Sequence, residues 1–63
     1  MYLVFTSQNK NIEKVIENTD YYIDKIENNS YYFEENNNID ELEKELNTIF
    51  NNNNIYGYFE VED

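Results

Sequence analysis

Between Asn38 and Phe50 (NIDELEKELNTIF) apolar side chains recur at Ile39, Leu42, Leu46, Ile49 and Phe50. That spacing of three and four lines one stripe of an α-helix. Asn38 stands three residues before Glu41, so its side chain is placed to accept a first-turn N–H while Glu41 reaches back. Asp40 and Glu41 suit the positive end of the helix dipole. The rest of the helix surface is acidic, with Asp40, Glu41, Glu43 and Glu45 against Lys44 alone. Such a helix must bury its oily stripe against the rest of the chain, and it turns a negative stripe outward.

The flanking segments supply what that stripe would cover. Tyr2 to Thr6 (YLVFT) is a β-rich run and reads as a strand. Ile12, Val15 and Ile16 then sit at helical offsets, which predicts a short helix over Lys10 to Asn18, with Ser7 or Asn9 as its cap. Tyr21 to Glu27 (YYIDKIE) reads as an edge strand, blunted by Lys25 and its acids. Asn28-Asn29 is a two-residue turn, because Asn tolerates positive φ. Ser30 to Glu35 returns as a strand. Asn51 to Asn54 ends the main helix, with Asn in the left-handed position that Gly usually fills. Ile55 to Val61 is the last strand.

The order β-α-β-β-α-β predicts an α+β, ferredoxin-like fold: a four-stranded antiparallel sheet with both helices on one face. The covered face takes Leu3, Phe5, Tyr31, Phe33, Ile55, Phe59 and Val61, under Ile12, Val15, Ile16, Leu42, Leu46, Ile49 and Phe50 of the helices. The open face takes Tyr2, Tyr32, Tyr56 and Tyr58 with Glu34, Glu60 and Glu62. A slip of one residue would invert either assignment. No repeat or internal boundary is visible, and residues 1–63 read as one domain.

A chain of this length buries only about 60% of the surface its unfolded form exposes, so its stability is expected to be marginal. No cysteine supplies a disulfide, and without His or Cys there is no zinc site. Seven Tyr and four Phe must carry the core. No apolar run approaches the ~20 residues that span a bilayer, and no charged-then-apolar signal segment opens the chain. A cytoplasmic location is expected.

Fourteen acids face four lysines, for a net charge of −10. That charge opposes compaction and disfavours nucleic acid or anionic membrane as a partner. Thirteen Asn accompany those four Lys. AT-rich coding sequence explains Asn tracts, but it supplies Lys as readily, which suggests that cations have been kept out.

Enzymatic chemistry finds little to work with. There is no His or Cys base–nucleophile pair, and Ser7 and Ser30 lack a partner motif. One glycine cannot make a phosphate-cradling loop. Adjacent carboxylates such as Glu34 and Glu35 point apart on a strand. Asn52, Asn54, Gly57 and Asp63 echo an EF-hand spacing, but Tyr56 falls on a ligand position and no helix follows. No metal, cofactor or catalytic residue is expected. The open-face tyrosines invite comparison with RNA-recognition domains, yet the RNP signature and the basic residues that track phosphate are missing.

Carboxylates two apart on a strand (Glu60 and Glu62) lie about 6.7 Å apart, and Glu41 and Glu45 about 6 Å apart along a helix axis. Arrays on that scale can stand in for phosphates before a basic groove. In size, charge and Tyr/acid surface, the chain resembles the small phage-encoded acidic inhibitors that mimic DNA, of the anti-CRISPR and anti-restriction kind. The resemblance covers the whole chain in character and rests on no diagnostic motif. It implies binding to the nucleic-acid or PAM-reading groove of a basic protein, in the host cytoplasm. The candidate contact residues are Asp40, Glu41, Glu43, Glu45, Glu60, Glu62 and Asp63, with Tyr56 and Tyr58 as aromatic anchors. Two other readings fit the same residues: a small structural or regulatory oligomerisation module dimerising through its tyrosine face, and an antitoxin-like neutraliser of a basic protein.

Overall fold

Strand β1 (Tyr2–Thr6) runs through the middle of the sheet, between β3 (Ser30–Glu34) and β4 (Tyr58–Glu62). Strand β2 (Lys25–Glu27) completes the order β2-β3-β1-β4, and every neighbouring pair is antiparallel. Helix α1 (Ile12–Glu17) follows β1, and α2 (Ile39–Asn52) follows β3. Each helix thus joins two strands with a third lying between them. The structure, a computed structural model, describes all of residues 1–63.

Period-two alternation decides the faces. Leu3 and Phe5 of β1 and Tyr31 and Phe33 of β3 point into one core with Ile12 and Ile16 of α1 and Leu42, Leu46 and Phe50 of α2. Both helices therefore cover the same side of an α+β fold, as the sequence predicts. Phe5 stacks on Phe50 at 4.3 Å between ring centres and meets Phe59 at 4.7 Å. Aromatic pairs of this kind add about 0.5–1.5 kcal/mol each beyond the area they bury.

The exit from α2 is a Schellman turn. The Ile55 N–H donates to the Phe50 carbonyl at 2.9 Å and the Asn54 N–H to that of Asn51 at 3.1 Å. Asn54 takes the left-handed conformation, φ 58°. Ile55 and Phe50 are both buried, the apolar contact that accompanies this motif. Asn28, φ 56°, does the same for the β2–β3 turn.

Four boundaries differ from expectation. Helix α1 is shorter than Lys10 to Asn18, and Asn11, not Ser7 or Asn9, precedes it. Ser7 and Asn9 instead accept backbone N–H groups two residues on, shaping the approach to the helix. Helix α2 runs on to Asn52, and the Asn38 side chain makes no cap bond. Glu35 accepts the Asn37 and Asn38 N–H groups there. Strand β2 is only three residues long, because Asp24 ends it: its carboxylate takes the Glu34 N–H at 2.6 Å, where a longer strand would offer a carbonyl. Tyr21 and Ile23 leave the sheet and pack against the core as a loop. Strand β4 starts at Tyr58, so Ile55 fills the core from the helix exit, and Val61, expected under the helices, is 51% exposed.

Candidate functional site

On the side of the sheet away from the helices, the register sets side chains in rows. Tyr2 lies between Glu34 and Glu62. Val4 lies between Tyr32 and Glu60, and Lys25 stands beyond Tyr32. Thr6 lies between Ser30 and Tyr58, with Glu27 beyond Ser30. Strands are about 4.8 Å apart, so Glu34 and Glu62 flank Tyr2 across roughly 10 Å. The face is a carboxylate frame around an aromatic centre.

That centre is closed. Tyr32 is 7% exposed and Val4 5%. Tyr2 meets Tyr32 edge-on at 5.7 Å, and the Lys25 ammonium sits 4.3 Å above the Tyr32 ring. Burial raises the pKa of the Tyr32 hydroxyl above the usual 10.0, and the charges of Glu62 and Glu27 push it the same way against Lys25. Tyr32 is therefore a neutral phenol at any physiological pH. The tyrosines that stand free are Tyr56 and Tyr58, 71% and 58% exposed, beside and on β4, and Tyr22, 75% exposed, in the loop before β2.

The sequence-predicted residues do not form one surface. Glu60 and Glu62 project from the open face, with Tyr58 in line and Asp63 just beyond the strand. Tyr56 precedes β4 and is anchored through its backbone, its carbonyl accepting the Ser7 hydroxyl at 2.6 Å. Asp40, Glu41, Glu43 and Glu45 belong to α2, which packs on the opposite side of the sheet. Asp40, Glu41 and Glu45 are exposed and Glu43 is half-buried. Glu45 also has internal work, because it accepts the Tyr21 hydroxyl and so ties the loop before β2 to α2. Tyr2, Glu27 and Glu34 join Glu60 and Glu62 in the open-face frame, beyond the contacts that charge alone points to. The alternation of β1 and β3 carries that signal for Tyr2 and Glu34, whereas Glu27 reaches the face through the β2–β3 register.

The carboxylates are scarcely neutralised from within. Lys25 and Glu27, 3.9 Å apart, make the only ion pair, and both are exposed. No cluster of carboxylates is arranged to hold a metal ion, and no helix is long and apolar enough to cross a membrane. Comparison with protein-family models, with curated proteins and with solved structures gives no match to this chain.

Proposed function

We propose that this protein is a non-enzymatic acidic inhibitor that works in the cytoplasm. It occupies the basic nucleic-acid-binding groove of a target protein, in the manner of anti-CRISPR and anti-restriction DNA mimics. One observation carries the reading: thirteen of fourteen carboxylates have no cation partner, so the charge of −10 is not neutralised by lysines within the fold. Unpaired carboxylates spaced along β4 and across the sheet offer a Lys- and Arg-lined groove what phosphates offer it. Steering by such a field makes association fast and salt-sensitive. The field by itself selects no target. The exposed rings of Tyr56 and Tyr58 supply the apolar contact that does.

The oligomerisation reading has less support, because the tyrosine face it needs is closed over Tyr32 and Val4. The test is capture from a bacterial lysate at low salt, elution by a salt gradient, and competition with nucleic acid. A captured nucleic-acid-binding protein, released by salt and by added DNA or RNA, is the expected result. A partner that stays bound in high salt, with its own nucleic acid still in place, overturns the reading.

A further inference from the structure

The two edges of the sheet are not alike. The β2 edge is three residues long, interrupted by the Asp24 side chain, and carries the charged Lys25–Glu27 pair along it. Those are the devices by which proteins close an edge. Strand β4 has five residues and no strand beyond it.

Its outward groups follow from the hydrogen bonds of β1. The Ser7 N–H donates to Asn29 and the Glu35 N–H to Met1, both at 3.0 Å. The odd-numbered residues of β1 therefore bond to β3, and Tyr2, Val4 and Thr6 turn their backbone groups toward Glu62, Glu60 and Tyr58 of β4. Phe59 and Val61, between those partners, point N–H and C=O away from the sheet. Beside them stand an apolar shelf, the half-exposed Val61, and on the other face the row Tyr58, Glu60, Glu62.

We infer that the free edge of β4 takes an extended segment of the target as a fifth strand, one in which Lys or Arg alternates with apolar residues. The inference deepens the inhibitor reading, since it names the kind of segment that the same acid-rich face binds. Backbone pairing to Phe59 and Val61 supplies register-fixed hydrogen bonds. Side chains of the added strand alternate: the basic ones fall on the open face opposite Glu60 and Glu62, and the apolar ones fall beside Val61 and Phe59. A second copy is the wrong occupant. The register that uses all four outward groups pairs Phe59 with Val61 of the copy, and it sets Glu60 against Glu60 at the close, non-hydrogen-bonded position. Like charges directly opposed destabilise the pair.

The probe is a soluble peptide in which Lys and Arg alternate with Val. Its counterparts carry Glu for each basic residue, or N-methyl groups on the amides that would face β4. The expected result is binding of the basic peptide, with new hydrogen-exchange protection at the Phe59 and Val61 amides. The N-methylated peptide should bind at least about tenfold more weakly, having lost backbone donors. V61P should fold, because the proline replaces an outward N–H that β1 does not use, and it should lose the peptide. Equal binding by the N-methylated peptide, or binding without protection at Phe59 and Val61, overturns the inference. A V61P protein that is folded and still displaces nucleic acid from a basic target also overturns it, while leaving the inhibitor reading intact. A peptide bound at the edge with full protection, in a protein that displaces no nucleic acid from the target it captures, supports the edge and removes the inhibitor reading.

Discussion

The Ser7 hydroxyl donates to the Tyr56 carbonyl, and the next residue, Gly57, lies against the end of β1 with no room for a side chain. A Cβ there would collide with the Thr6 carbonyl oxygen and come within 2.8 Å of the Phe5 ring and 2.9 Å of Ser7 Cβ. Two of these neighbours cannot yield, one being backbone and the other a buried ring stacked on Phe50. The chain's single glycine is thus where the path from α2 closes on β1 and sets β4 in register.

G57A is therefore expected to destabilise by about 3 kcal/mol, at the upper end of what overpacking costs. In a domain this small that lowers the melting temperature by more than about 10 °C. S7A loses two hydrogen bonds, leaving the Tyr56 carbonyl without its side-chain donor and the Asn9 N–H without its acceptor, a cost of roughly 2 kcal/mol. Thermal melts of the two variants against the parent check the order. A G57A melt indistinguishable from the parent would show that the approach is looser than the geometry requires.

Tyr21 gives a titration that its own variants isolate. Its hydrogen bond to Glu45 holds the hydroxyl proton, and burial with the charges of Glu45, Asp20 and Glu41 adds to that, raising its pKa from 10.0 to about 12. The folded value lies above the unfolded one. The stability this contact gives is thus fully present below about pH 10 and is lost as pH rises through about 12. Tyrosinate absorbance should show one ring ionising near pH 12, missing in Y21F and shifted back toward the ordinary range in E45Q. A Y21F titration that loses its ring from the ordinary range and keeps the step near pH 12 would remove the Glu45 tether.

Self-repulsion should be visible in salt. The molecule measures 27 × 22 × 18 Å. At about 0.01 M salt the screening length is roughly 30 Å, so every carboxylate feels every other, whereas near 1 M it falls to about 3 Å. With a single ion pair to lose, added salt relieves more repulsion than attraction. The melting temperature should climb by several degrees across that range in NaCl. A flat or falling profile would mean that attractions between the lysines and the acids outweigh the repulsion.

How far the sequence reveals the molecule depends on where periodicity acts. Leu42, Leu46 and Phe50 repeat along a helix long enough to show its period, and the core stripe is where they predict it. Leu3 with Phe5 and Tyr31 with Phe33 show the two-residue period and mark the covered face. Asn54 is legible because few other residues accept its left-handed conformation. The segment Tyr21 to Glu27 misleads because its alternation resembles a strand, while the Asp24 carboxylate, a tertiary contact, stops the ladder. The cap at α2 misleads for a similar reason: Glu35, in the preceding loop, reaches the amides at Asn37 and Asn38. The candidate contacts are legible by charge but not by side of the sheet. A list of acids does not say that α2 and the open face look in opposite directions.

That opposition makes the last prediction the sharpest. A basic groove that grips one side of the molecule leaves the other in solvent, so reversing charge on the two sides cannot have equal effects. E60K with E62K changes the open face beside Tyr58, and neither residue is buried or paired to a lysine. E41K with D40K changes α2 equally in charge and spares Glu45, whose bond to Tyr21 would confound the result. Both double variants remove the same net charge, so general steering falls alike in each, and on-rates at low salt should drop together. Only the pair at the true contact should also speed dissociation. Open-face reversal is expected to weaken target binding at least about tenfold, most of it through faster release, with the α2 variant within about threefold of the parent. Binding kinetics at two salt concentrations separate the terms. If the α2 pair carries the faster release, the groove grips the helix side and the open face is solvated. If both pairs act only on the on-rate, the carboxylates steer without touching, and the contact lies with Tyr56 and Tyr58.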